Sequence, residues 1–205
     1  QIAFNVAGKS IDPSMFPVVL GVDGKVQFDF AQIRLKNYSH LASVELTDYR
    51  DIFGKYDHIV SIEMFEAIGL EYWNVFFKKL YSLLLPGGQM VIQSITINHK
   101  DFYSYRRGTD FIQQYIFPGG MLPSPEIFKE LALKQNFQFL NQLEFGHDYA
   151  RTLGIWENNF SQSIEGVKLL GFDEKFIRLW RFYLKMCQGS FASKKISVSQ
   201  FTLSK

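Results

Sequence analysis

Residues 56–97 read YDHIVSIEMFEAIGLEYWNVFFKKLYSLLLPGGQMVIQSITI, and this stretch decides the fold. Tyr56 to Ile62 is a short run whose apolar half suits burial inside a parallel sheet. From Leu70 to Leu85 the spacing places Tyr72, Phe76, Leu80 and Leu84 on one helical face, and Pro86-Gly87-Gly88 reads as the stop signal of that helix. Gln89 to Ile97 is apolar and β-branched, which makes it the strongest strand in the sequence. Strand, helix, strand is a βαβ crossover, which needs parallel strands and a right-handed connection. The expected class is α/β.

Working outward, Lys25 to Phe30 alternates like an exposed-edge or half-buried strand after the turn signal Asp23-Gly24, a hairpin-like start. Ala31 to Leu41 is weakly helical, and Ser43 to Leu46 is a short strand ending in Thr47-Asp48-Tyr49-Arg50-Asp51. Downstream, a helix over Pro125 to Gln135 follows the capping candidate Ser124, and Gln138 to Phe145 reads as a strand. Helices over Ala150 to Leu170 and Asp173 to Cys187 precede a closing strand, Ile196 to Leu203. No repeat or linker marks a second domain. The 205 residues are 47% hydrophobic and 20% charged, enough apolar material for one packed core. With 22 Lys+Arg against 20 Asp+Glu, the chain lacks the basic field of a nucleic-acid binder, so no nucleic-acid partner is expected. A single cysteine, Cys187, excludes an internal disulfide framework and a Cys-rich metal site, so no metal is expected, and a reducing cytoplasmic setting fits. No apolar run approaches a membrane span, and Met15 to Val22 lacks the flank and length of a secretory signal. The 21 Phe, 10 Tyr and 3 Trp suit either a dense core or the walls of a channel for a long apolar ligand.

Ligands of an open parallel sheet bind beyond the carboxyl ends of its strands. Those ends carry Thr47 to Asp51, Glu63-Met64-Phe65-Glu66, and Gln93-Ser94-Ile95-Thr96. Glu66 has apolar company in Ile62, Phe65 and Ile68, a setting that raises a carboxyl pKa unless a partner holds the charge and that suits proton handling. Its alternative is to cap the helix near Leu70; Glu63 shares the ambiguity. His147, Asp148 and Tyr149 could form an acid/base cluster, with Asp148 as a natural N-cap and His147 as a structural residue in the alternative. Phe117 to Ser124, with two prolines and two glycines, is a defined loop, either a lid or a rigid connector. Tyr105-Arg106-Arg107 is a solvated basic face or a contact for lipid phosphate. Cys187 reads as buried and inert rather than nucleophilic. The dinucleotide glycine fingerprint, the phosphate loop, the serine elbow and the zinc-protease helix are all missing.

Several separated stretches, in order, resemble the cyclopropane-fatty-acyl-phospholipid synthase family of S-adenosylmethionine-dependent methyltransferases. They are Asp48-Tyr-Arg-Asp51, Tyr56 to Glu66, Tyr115-Ile-Phe-Pro-Gly-Gly-Met-Leu-Pro-Ser124, Tyr149-Ala-Arg-Thr-Leu153, Tyr183-Leu-Lys-Met-Cys187 and Gln200-Phe-Thr-Leu203. The resemblance implies a Rossmann-like class I methyltransferase fold, with a mostly parallel sheet, helices on both faces and extra C-terminal helices. It implies that an acyl double bond attacks a sulfonium methyl group and that a bound bicarbonate removes a proton. The product is then a cyclopropane, or a methylene or methyl branch. By motif, Glu66, Tyr149 and the backbone of Ile95 hold the bicarbonate. Asp48, Tyr49 and Arg50 contact adenine, and Ile62 lies beside the cofactor. The implied partners are an unsaturated acyl phospholipid and the membrane surface, met peripherally from the cytoplasm, with a homodimer as a further expectation.

This sequence departs from the family in three places. Gln93 stands where many members carry a histidine that contacts bicarbonate. The glycine-rich loop that cradles the methionine part of the cofactor is not found, nor is the family's cysteine upstream of it. Phe30 runs directly into Ala31 to Lys36, which looks like the helix after the family's second strand. The expectation is therefore one incomplete methyltransferase domain, 1–205, in which 1–30 are pieces of the N-terminal region, 31–205 are the core, and part of a longer polypeptide is missing. Two other functions are weighed beside the enzyme: a catalytically silent lipid-binding or interaction protein, and a methyltransferase for a small non-lipid acceptor.

Overall fold

The computed structural model describes residues 18–22 and 24–205, with side chains from Gly24 onward. The chain runs β1 (Val18–Val22), α1 (Lys25–Leu35), β2 (Ala42–Leu46), β3 (Tyr56–Ile62), α2 (Trp73–Leu83), β4 (Leu84–Ile97), α3 (His99–Tyr105) and α4 (Phe111–Tyr115). It continues with α5 (Pro125–Lys134), β5 (Gln138–Glu144), α6 (Gly146–Gln162), α7 (Ile164–Leu169), α8 (Glu174–Ala192) and β6 (Ile196–Ser204). β1 and β2 pair in parallel, with Val18 opposite Ala42. The other four strands lie in the order β3-β4-β6-β5. β3 and β4 are parallel, with His58 opposite Gln89 and Ile62 opposite Gln93, as the βαβ reading requires.

Two expectations change. Lys25 to Phe30 is not a strand but most of α1. Its alternation is overridden because β1 and β2 are parallel neighbours, and a parallel pair needs a crossover rather than a hairpin. An ion pair between Lys25 and Asp29, one helical turn apart, supports the helix locally. Gly24 sits at its N-cap position, whereas Asp23 of the expected turn, like Gln1 to Pro17, lies outside the described residues. The second change is Pro86-Gly87-Gly88, which does not terminate a helix but lies within β4, whose first residue directly follows α2. The pairing of β3 with β4 is irregular between Tyr56 and His58, opposite this tripeptide. There a side chain at residue 88 would place its Cβ 2.8 Å from the Asp57 carbonyl oxygen, and Gly87 has φ 78°. The glycines build a bulge in a central strand rather than a cap.

Two compact units divide the chain. Of the described residues, the first comprises those up to 94, 129–142 and 200–205; the second comprises 95–128 and 143–199. In the first, α2 buries Trp73, Phe76, Phe77, Leu80 and Leu83 on one face. These rings gather around Phe65, whose centroid lies 5.1 Å from Trp73, 5.1 Å from Phe76 and 5.6 Å from Phe77. In the second, α6 packs on α8 through Ala150, Leu153, Leu184 and Phe191, with Val198 of β6. Glu157 on α6 is buried there because Lys185 binds it at 2.8 Å and Ser161 donates to it at 2.8 Å. The Lys185 hydrogen bond, seconded by Ser161, holds its carboxyl below the usual range. The chain's aromatic richness thus serves dense packing in the first unit.

Phe65 both fills that cluster and precedes Glu66. Phe65→Ala should lower unfolding free energy by about 3–5 kcal/mol, read by urea denaturation. A loss below about 1 kcal/mol would show that the cluster does not anchor this turn.

Candidate active site

The carboxyl end of β2 is closed by a 3₁₀ turn over Tyr49–Asp51, and Asp48 caps it by accepting from the Arg50 backbone N–H at 2.8 Å. The Arg50 guanidinium returns to the same carboxylate, with Nε 2.9 Å from Oδ1 and Nη2 2.7 Å from Oδ2. This forked contact holds the Asp48 carboxyl below the ordinary range and raises Arg50 further. The Arg50 guanidinium also lies 6.0 Å from the Tyr49 ring centroid and 5.4 Å from that of Tyr72. Tyr49 meets Phe76 edge-on, and burial pushes its phenol pKa up. Its enclosed hydroxyl has no hydrogen-bond partner among the described residues, and neither does that of Ser61 on β3. An enclosed phenol with spare donor and acceptor capacity beside an aromatic and guanidinium wall fits a polar planar ligand such as an adenine ring.

Ile62 ends β3, and the next residue, Glu63, has φ 51°. A glutamate in the left-handed region carries about 1 kcal/mol or more of backbone strain, which persists only where surroundings enforce it. Two bonds enforce it here: the Glu63 N–H donates to the Gln93 carbonyl at 2.9 Å, and its carboxylate accepts from Gln93 Nε2 at 2.9 Å. Gln200 Nε2 in turn donates to Gln93 Oε1 at 2.9 Å. Glu66 lies in the 3₁₀ turn Phe65–Ala67 and is 9% exposed. The next 3₁₀ turn starts from Gly69 at the N-cap position, so Glu66 is not the cap of the helix that follows. Gln93, Glu63 and Gln200 are thus brought together in the first unit. Gln200 was legible in the sequence only as part of the motif Gln200-Phe-Thr-Leu203.

In the second unit, Ile95 and Tyr149 pack against the same buried cluster of α6, α8 and β6. The Tyr149 ring lies 6.0 Å from Phe145 and 5.4 Å from Phe191. His147 and Asp148 are exposed and do not face the same way as Tyr149, so the three do not make a cluster. Asp148 is not the N-cap either; Phe145 occupies that position and Asp148 lies in the first turn. The Phe117 to Ser124 loop is tied down at three points. Gln113 Nε2 donates to the Gly120 carbonyl, the Leu122 N–H donates to the Tyr105 hydroxyl, and the Ile97 N–H donates to the Pro123 carbonyl. Tyr105 therefore leaves the expected basic face, where Arg106 and Arg107 remain exposed, and burial pushes its pKa up to about 12. Ser124 caps α5 by accepting from the Ile127 N–H at 3.2 Å. No group of residues that could hold a metal ion occurs among the described residues, and no helix there is long and apolar enough to cross a membrane.

The family model described as mycolic acid cyclopropane synthetase matches residues 19–201. The chain belongs to this family. Its fold is the Rossmann-like α/β fold of class I methyltransferases, as in a solved mycolic acid cyclopropane synthase, CmaA1, complexed with SAH and CTAB. The likeness to that structure has a TM-score of 0.83 at 30% identity, over 92% of this chain and 70% of that one. Among curated proteins, the chain is 37% identical to tuberculostearic acid methyltransferase UfaA1 of Mycobacterium tuberculosis, over 84% of this chain and 40% of that protein. It is 29% identical to the cyclopropane-fatty-acyl-phospholipid synthase of Escherichia coli K12, over 80% of this chain and 41% of that protein. The chain thus spans less than half the length of these two relatives. The family match takes in all of α1 and β1 from Val19 on, so the helix beginning before Ala31 falls within it.

Cys187 on α8 is half-buried, and burial pushes its thiol pKa up to about 11. At pH 8 about one thiol in a thousand is then ionised, against about a quarter for an ordinary cysteine. Alkylation of the folded protein by iodoacetamide should be at least ~100-fold slower than that of the unfolded chain. Equal rates would contradict the burial of this thiol.

Proposed function

We propose that the protein transfers a methyl group from S-adenosylmethionine to the double bond of an unsaturated fatty acyl chain in phospholipid, working at the cytoplasmic membrane surface. Family membership, together with a buried glutamate at the family's motif position beyond β3, carries this reading. The relatives' names cover both outcomes of such chemistry, cyclopropane formation and methylation. S-adenosylmethionine supplies an electrophilic methyl group: the alkene π pair forms the new C–C bond as the S–CH₃ bond breaks with its electrons staying on sulfur, leaving a cationic acyl carbon.

The chain's own residues then have separable tasks. Tyr49, with its enclosed hydroxyl, and the Asp48–Arg50 fork hold the adenine end, with Ile62 as apolar neighbour. Glu66, a carboxylate buried beside Phe65, is well suited to stabilising the developing positive charge and to holding the base that takes the proton as the ring closes or a methylene double bond forms. Glu66, Tyr149 and the Ile95 backbone are assigned to bicarbonate on the family resemblance. A saturated methyl branch would need a further two-electron reduction by a separate hydride donor.

The experiment uses the full-length polypeptide, methyl-labelled S-adenosylmethionine and oleoyl phospholipid vesicles. Label in lipid is expected. Acyl binding without transfer would point to a silent lipid-binding protein, and label confined to a soluble acceptor to a different methyltransferase. Glu66→Gln should lower turnover by about 10²-fold or more, with cofactor affinity nearly unchanged in equilibrium binding. Turnover equal to the wild type would remove Glu66 from the chemistry.

A further inference from the structure

Glu63, Gln93 and Gln200 stand on three neighbouring lines of the sheet: just beyond β3, on β4 and on β6. β6 is antiparallel to β4, since the bonds joining Lys205 to Gly87 and Gly88 lie at one end and Gln200 meets Gln93 further along. The side chains therefore form a row across the strands at the rim where ligands of such sheets bind. The row has a direction that follows from its chemistry. An ionised carboxylate only accepts hydrogen bonds, so Gln93 must turn its NH₂ toward Glu63. Its oxygen then faces Gln200, which must donate. Glu63 itself is held in a strained left-handed conformation by its backbone bond to Gln93, an arrangement a glycine would adopt without cost.

We propose that this polarised row is a positioning device: Gln200 and Gln93 fix a carboxylate, Glu63, and an oriented carboxamide at the rim, where they stabilise the acyl cation and set how its products partition. The assignment rests on the methyl-transfer reading above. Glu63 takes no proton in it. Its charge is screened while it faces solvent and strengthens once an acyl chain excludes water.

The direction of the row is testable by reversal. Glu63→Gln keeps a hydrogen-bond acceptor facing Gln93 but removes the charge. Gln200→Glu puts acceptors at both ends of the row and leaves one of its two contacts mismatched in either orientation of Gln93. The double variant E63Q/Q200E restores a donor facing an acceptor at both contacts of the row with the amide flipped. Melting temperatures of the full-length protein should show Gln200→Glu lowered by about 4 °C or more and the double variant restored to near the wild type. Turnover on oleoyl phospholipid should fall roughly tenfold or more in Glu63→Gln and stay low in the restored double variant, with a changed ratio of cyclopropane to methylene product by mass spectrometry. Wild-type turnover and product ratio in the double variant would overturn the functional role. A Gln200→Glu variant as stable as the wild type would overturn the polarity. Wild-type protein that methylates no lipid would sink the methyl-transfer reading and the role in cation stabilisation with it, while the melting temperatures still decide whether the row exists.

Discussion

β4 is hydrogen-bonded along both edges, parallel to β3 on one side and antiparallel to β6 on the other, and the first unit is arranged around that fact. Beyond its bulge, a strand in this position has its backbone groups paired within the sheet, and its side chains alternate between the two faces. Met90 and Ile92 are buried on one face. Gln93 lies on the opposite face and is bonded to both neighbours, Glu63 and Gln200. Proximity of the three polar residues is thus a consequence of register: moving β4 by one residue would turn Gln93 into the core and break both bonds.

Charge is handled in three distinct ways. At the carboxyl end of β2, Arg50 neutralises Asp48 through a planar fork and spreads over Tyr49 and Tyr72, which fixes a rim without tying up the Tyr49 hydroxyl. Between α6 and α8, Glu157 has its partners supplied by the opposing helix and by Ser161 one turn away, as a carboxylate in that interface requires. Glu63, by contrast, faces solvent on a strained backbone. The first two arrangements stabilise local structure, whereas the third maintains an unfavourable conformation, and strain of that kind concentrates where ligands are handled.

Legibility followed the range of the forces involved. The run Tyr56 to Ile62 could be read from the sequence because its extended, buried pattern and the apolar face of α2 are local properties, and the parallel pairing follows from them. Lys25 to Phe30 alternates like a strand in the sequence because α1 has almost no apolar face of its own and buries no residue; only the demand for a crossover between β1 and β2 makes it helical. Pro86-Gly87-Gly88 misled for a related reason: the same residues serve a helix end or a bulge, and the approach of the Asp57 carbonyl decides between them. Glu66, Gln93 and the Asp48 to Arg50 turn stand out in the sequence because they follow or end strands, and their roles, like that of Tyr149, are assigned through motif resemblance. Gln200 was not singled out, since its partner lies 107 residues away.

By itself, the amino-acid sequence determined the α/β class, the βαβ core, the family, and the presence of carboxylate, amide and phenol groups at strand ends. Periodicity and motif order are written along the chain, and neighbouring residues suffice to express them. Tertiary structure alone decided that Glu63 adopts a left-handed backbone, that Gln93 points its amide hydrogens toward it, and that Gln200 completes the row. Each of these depends on the lateral pairing of strands distant in sequence, where a hydrogen bond's geometry rather than residue type selects the arrangement.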